Sequence, residues 1–196
     1  MLTREQGQVL VRLARQTIEE QVGLAPTDPV RPEELADPAL QERRGVFVTL
    51  NKRGMLRGCI GSLVGVEPLV EGVRRNAINA AFHDHRFPMV SADEVPELEI
   101  EVSVLTPPRP LAYSDGDDLV RKLRPHEDGV IIRAAGGASA TFLPQVWEQL
   151  PVPEVFLGHL CRKAGLPEDF WRSGGLAVET YQVQYFKEEH HNLHDR

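Results

Sequence analysis

The chain is short of cysteine, of long apolar runs, of positive charge and of nucleotide-binding motifs, and each shortage removes a class of protein. Its two cysteines, Cys59 and Cys161, stand 102 positions apart in 196 residues. That excludes a disulfide framework, a four-thiolate metal site and a cysteine-held iron–sulfur cluster, and it fits a reducing compartment. No apolar stretch approaches the roughly 18 residues of a membrane span. Met1-Leu2-Thr3-Arg4-Glu5 lacks the apolar centre of a secretory signal, so the cytoplasm is the expected location. A net charge of −7 argues against a general nucleic-acid coat. There is no G-x-x-x-x-G-K, no G-x-G-x-x-G, no G-x-S-x-G and no internal repeat.

What is present describes an ordinary globular chain, 41% hydrophobic and 26% charged, long enough for one sizeable core or a core with a smaller lobe. Charge is unevenly spread. Residues 41–86 hold eight basic side chains against four acids, so this segment is +4 and the remainder −11. It is either a set of solvated strand ends and helix faces or a local anion site.

Residues 3–22 predict a helix, with Thr3 and Gln6 as a capping box and Gly23 as its stop. Residues 25–38, rich in Pro and Asp, predict a surface connection with at most one helical turn. G-V-F-V-T-L, N-K-R-G and M-L-R-G-C-I-G-S-L then read as a hairpin with four turn residues. A helix follows from Glu67-Pro68, with Pro68 in its first position, and ends before F-H-D-H-R-F-P. L-E-I-E-V-S-V-L (98–105) predicts a half-buried strand, 129–143 a second hairpin turning at Gly136-Gly137, 153–167 a helix, and 177–187 one long last strand. Residues 188–196 read as a flexible tail. Mixed hairpins and helices without βαβ repeats predict an α+β fold with mainly antiparallel sheet.

Alternation in 55–61 puts Leu56, Gly58 and Ile60 on one face and Met55, Arg57, Cys59 and Gly61 on the other, so Cys59 shares a face with Arg57 and stands off the core. The glycines on either side suit close approach by a ligand or another backbone, or mark a bulge. Cys59 is thus a candidate nucleophile beside a cation, or a packed thiol. His83 or His85 can serve as its base, and Asp84 is expected to pair with Arg86 or to cap a turn. Cys161 falls on the stripe of Leu157 and Ala164 and reads as core. Glu99 and Glu101 read as a solvated strand face or as carboxylates offered to a cleft. No spacing of His83, Asp84 and His85 makes a metal site, and the tail histidines His190, His191 and His194 offer adventitious binding only. No cofactor is expected.

These residues carry a resemblance. G-V-F-V-T-L-N-K-R-G-M-L-R-G-C-I-G, N-A-I-N-A-A-F-H-D-H-R-F-P, L-E-I-E-V-S-V-L-T-P-P, F-L-P-Q-V-W and L-C-R-K-A-G-L-P, spanning about residues 5–187 of one domain, resemble the AMMECR domain family, whose bacterial and archaeal members are named AmmeMemoRadiSam system protein A. The resemblance implies two lobes, a larger and a smaller, with L-R-G-C-I-G near a cleft between them. It also implies a Memo-like protein and a radical SAM protein as partners. The family usually carries Asp-Pro-Arg-Phe after the alanine-rich helix; here His85 replaces the proline, and the His-rich tail has no counterpart.

Two readings stay open. In one, Cys59 is a nucleophile or acyl/alkyl carrier, with His83 and Asp84 in support, acting on a small anionic substrate held by Arg57, Gly58, Ile60, Gly61 and Arg86. In the other, the chain is a non-catalytic partner or substrate-presenting module in RNA or small-molecule modification. An RNA-contacting role for the +4 segment is disfavoured by the overall acidity.

Overall fold

The computed structural model describes residues 1–189; His190, His191 and His194 lie outside them. Helix α1 (Arg4–Gln21) opens as expected. The Gln6 N–H donates to the Thr3 hydroxyl at 3.1 Å and the Thr3 N–H to the Gln6 side chain at 2.9 Å. Gly23, at φ +81°, ends it, and the Leu24 N–H returns to the Glu19 carbonyl at 2.8 Å. Helix α2 (Pro32–Leu35) is the single turn in the Pro/Asp-rich connection.

Strands β1 (Val46–Lys52) and β2 (Met55–Ser62) make the expected hairpin with a tighter turn than N-K-R-G suggested. Pairing runs to Lys52↔Met55, leaving Arg53 at φ +53° and Gly54 at φ +76° as a two-residue loop whose left-handed backbone matches strand twist. Helix α3 (Leu69–Phe82) starts one residue later than predicted, with Pro68 as its cap rather than its first residue. A 3₁₀ segment, Ala92–Glu97, leads into β3 (Leu98–Leu105).

Beyond it come β4 (Arg109–Pro110), α4 (Gly116–Lys122), β5 (Gly129–Ala134), β6 (Ser139–Phe142), α5 (Pro153–Lys163), β7 (Leu176–Tyr181) and β8 (Val183–Lys187). Helix α4 was not expected from the sequence; it is short and starts where the Asp115 carboxylate accepts the Asp118 N–H. The single long last strand is in fact two. Gln182 breaks it, and β7 and β8 belong to different sheets.

The fold is α+β, with two four-stranded sheets in the orders β2-β1-β3-β8 and β4-β7-β5-β6. The chain divides into two compact units, one built from residues 1–105 and the return at Gln184, the other from Thr106–Val183. In the larger unit Val46, Val48, Leu50, Ile100, Val102 and Val104 share one sheet face, as their register requires, and are buried with α1 and α3. In the smaller unit Trp147 stacks on Phe156 with ring centroids 3.7 Å apart, in a core with Leu119, Ile132, Leu160 and Cys161. Gly136 and Gly137 make the β5–β6 turn, both at positive φ. No helix among the described residues is long and apolar enough to cross a membrane.

Candidate functional site

Strand β2 is the outer strand of its sheet, so alternate backbone groups along it have no strand partner. At Cys59 two side chains take that place. The Cys59 N–H donates to Asp84 Oδ2 at 3.0 Å, and Arg86 Nη2 donates to the Cys59 carbonyl at 3.4 Å. Arg86 also grips Asp84 through Nε and Nη2 at 3.0 and 2.8 Å, and its N–H donates to Oδ1. Asp84 thus pairs with Arg86 and also closes the turn after α3, both roles expected of it. His83 caps α3, its N–H donating to the Asn79 carbonyl. The His83 and His85 side chains are exposed and hydrogen-bond no other described residue.

The carboxylate is buried and the guanidinium largely exposed. Bonds from Arg86 above all, then from the Cys59 N–H, hold Asp84 far below the usual carboxylate range. Asp84 is therefore a fixed anion, not a proton acceptor near neutrality. In return Asp84 raises Arg86 above its ordinary value, and charge on Cys59 adds to the effect.

The thiol is half-buried, with Sγ 3.2 Å from the Thr49 hydroxyl. Register places Cys59 opposite Thr49 and Thr49 opposite Glu101, so a thiol, a hydroxyl and a carboxylate form one row across the sheet. Glu99, two residues earlier on the same face, is exposed, whereas Glu101 is half-buried and 3.5 Å from Lys187 Nζ. Thr49 was invisible to the sequence reading. Counting back from Lys52↔Met55 in a regular hairpin puts Thr49 opposite Gly58, and only the irregularity at Leu50/Asn51 moves it opposite Cys59.

That irregularity also corrects the expected faces. Leu50 pairs with Gly58 and Asn51 with Leu56, leaving Arg57 as the extra residue of a β-bulge. Leu56 therefore shares the face of Asn51, Thr49 and Cys59, and Arg57 does not accompany Cys59. Its Nε and Nη2 donate to the two oxygens of Glu94 at 2.6 and 3.1 Å, and Lys52, on the face of Leu50, meets the same carboxylate at 3.2 Å. Glu94, unremarked in the sequence, is lowered to about 2, chiefly by Arg57. The cation beside Cys59 is Arg86.

The glycines prove to make room for protein atoms. A Cβ on Gly58 would stand 2.2 Å from the Ala80 carbonyl of α3, and one on Gly61 would enter the Phe47 ring. Ile60 packs on the core side. Cys161 is fully buried, as its helical stripe predicted, and burial pushes its thiol up. Among the described residues no three His, Cys, Asp or Glu side chains cluster as a metal would need.

The comparisons with known proteins agree with this architecture. A protein of Methanothermobacter thermautotrophicus is 42% identical over 194 residues, covering 96% of this chain and 97% of its own. One of Thermococcus gammatolerans is 42% identical over 196 residues, covering 95% and 92%. The crystal structure of an uncharacterized protein from Pyrococcus horikoshii superposes with a TM-score of 0.78 at 39% identity, covering 96% of this chain and 94% of that one. The AMMECR1 description matches residues 11–186, and the chain belongs to the AMMECR1 family.

Proposed function

We propose that this is a cytoplasmic protein whose activity rests on Cys59, a nucleophile or acyl/alkyl carrier for a small anionic electrophile. The observation that carries this reading is the clamp of Asp84 and Arg86 on the Cys59 peptide, which fixes a half-buried thiol beside an exposed guanidinium. The anion-holding role first given to Arg57 passes to Arg86, whose fork can bind an oxyanion while Asp84 keeps it oriented. The thiolate sulfur forms the new C–S bond, the leaving group departs with its bonding pair, and the thiol proton goes to water or to His83 or His85. Thr49 can donate its O–H to the thiolate. Asp84, held ionised, positions rather than transfers.

The test compares iodoacetate with iodoacetamide, which alkylate a thiol by the same displacement of iodide but differ in charge. Wild type should favour iodoacetate at Cys59, and Arg86→Gln should lower the iodoacetate-to-iodoacetamide rate ratio by about tenfold, the low end of electrostatic steering. An unchanged ratio, or a Cys59 no faster than Cys161, overturns the reading.

A second reading, the non-catalytic partner of a Memo-like protein and a radical SAM enzyme, draws support from side chains at the two ends of β2. Met55 is 71% exposed and Val64 66%, with Leu56 and Val66 also open. Met55→Asp should then weaken a complex with one of those purified proteins, whereas Cys59→Ala should not. The reverse pattern rejects this second role.

A further inference from the structure

Strand β2 keeps a piece of open edge directly beside the clamped cysteine. The Leu105 N–H donates to the Gly45 carbonyl at 2.9 Å, so Gly45, Phe47 and Thr49 turn their backbone groups toward β3. Their partners on β2 therefore point away from β1: Cys59, opposite Thr49, and Gly61, opposite Phe47. At Cys59 those outward groups are taken by Asp84 and Arg86. At Gly61 the N–H and C=O bond to no described residue, and there is no side chain to shield them.

The clamp decides what can use that edge. The Cys59 C=O and the Gly61 N–H are successive groups along it, and Arg86 sits on the first of them. Arg86 Nε and Nη2 are spent on Asp84 and Cys59, but Nη1 bonds to no described residue and the side chain is 57% exposed. An extended chain laid on the edge can exchange two hydrogen bonds with Gly61. Beside Cys59 the Asp84 and Arg86 side chains fill the place of its next pairing residue, so it must end there. Run antiparallel to β2, it brings its carboxy terminus to Arg86, where a carboxylate meets an open guanidinium N–H. Run parallel, it brings an amino-terminal ammonium against the same cation. Asp84 offers that ammonium nothing, because each of its oxygens already accepts two bonds from Arg86 and Cys59.

We propose that the β2 edge at Gly61 binds the carboxy-terminal residues of a partner protein by strand addition, the penultimate residue pairing with Gly61 and the terminal carboxylate resting on Arg86. The inference goes beyond the thiol reading and requires no reactive cysteine.

The test is NMR titration of the ¹⁵N-labelled full chain with the peptide acetyl-Thr-Val-Thr-Val bearing a free carboxylate, following the Gly61 amide and the Arg86 Nε–H. Its residues favour the extended backbone that strand addition needs. The free acid should give saturable shifts at both positions. Its carboxy-terminal amide loses the charged hydrogen bond, and the acid N-methylated at its penultimate residue loses the donor to the Gly61 C=O. Each should bind at least about tenfold more weakly, and sodium acetate, the carboxylate alone, should be weaker by at least the same factor. Arg86→Gln should weaken the free acid about tenfold and leave the amide unchanged. Silence at Gly61, an amide, N-methyl peptide or acetate as tight as the free acid, or an Arg86→Gln protein with wild-type affinity would each overturn the proposal. Cys59→Ser should bind the free acid as wild type does, so a failed alkylation test leaves this site standing, and a failed titration leaves the thiol reading standing.

Discussion

Asp84 shows how one side chain can hold a strand edge and orient a neighbouring cation at once. It satisfies the N–H of an outer strand, orients Arg86 and thereby sets the surroundings of Cys59. Asp84→Ala leaves that N–H without its acceptor and frees Arg86, and a loss of about 1–3 kcal/mol should appear in urea unfolding. The two cysteines provide an internal contrast. In the native protein Cys59 should alkylate and Cys161 should not, because Cys161 is fully buried and burial raises its thiol; mass spectrometry after a timed exposure reads both. At this scale the sequence was legible where spacing alone decides: Leu157, Cys161 and Ala164 lie on one helical stripe, and Asp84 and Arg86 are near neighbours. Glu94 as the partner of Arg57 was not legible, since the two are 37 residues apart and meet only through the fold.

At the scale of elements, the β1–β2 hairpin turns on one inserted residue. The sequence supplied two strands and a turn, and it allowed Gly58 and Gly61 to mark a bulge, but periodicity cannot say which residue is extra. Once Arg57 is the extra one, every side chain from Leu56 toward the turn changes face relative to strict alternation. Gly58 is then the point where β2 meets α3. Gly58→Ala must push a methyl group against the Ala80 carbonyl, and it should cost about 1–3 kcal/mol in equilibrium unfolding, as overpacking does. Gly54 serves the same hairpin differently. At φ +76° nothing lies within 4 Å of an added Cβ, so Gly54→Ala should lose only the backbone term of about 1–2 kcal/mol.

For the molecule as a whole, acid should be the first stress to tell. Glu34, Glu94 and Asp118 are lowered to about 2 by hydrogen bonds from Arg31, Arg57 and Ser114 respectively, and Asp84 lies lower still. Because these carboxyls are more acidic folded than unfolded, their stabilisation is complete above the unfolded values of about 4 and is lost as pH falls toward 2. The midpoint temperature should be flat from neutrality to about pH 5 and fall steeply below it, and Glu94→Gln should show a shallower fall. Glu188, the first residue of the expected tail, ties the larger unit together. It pairs with Arg15 of α1 and accepts the Ile100 N–H of β3 at 2.9 Å. Glu188→Ala strands the partly buried Arg15 charge and should cost up to about 3 kcal/mol, read by thermal unfolding. The amino-acid order determined α1 with its capping box, α3, α5, the hairpins and the α+β class, since each follows from spacing and turn chemistry a few residues long, and its motifs carried the family resemblance. Tertiary structure decided the division of the last strand between two sheets, the bulge that separates Arg57 from Cys59, and the choice of Arg86 as the neighbouring cation. Those depend on which distant backbone and charge each residue meets, and no local pattern encodes that.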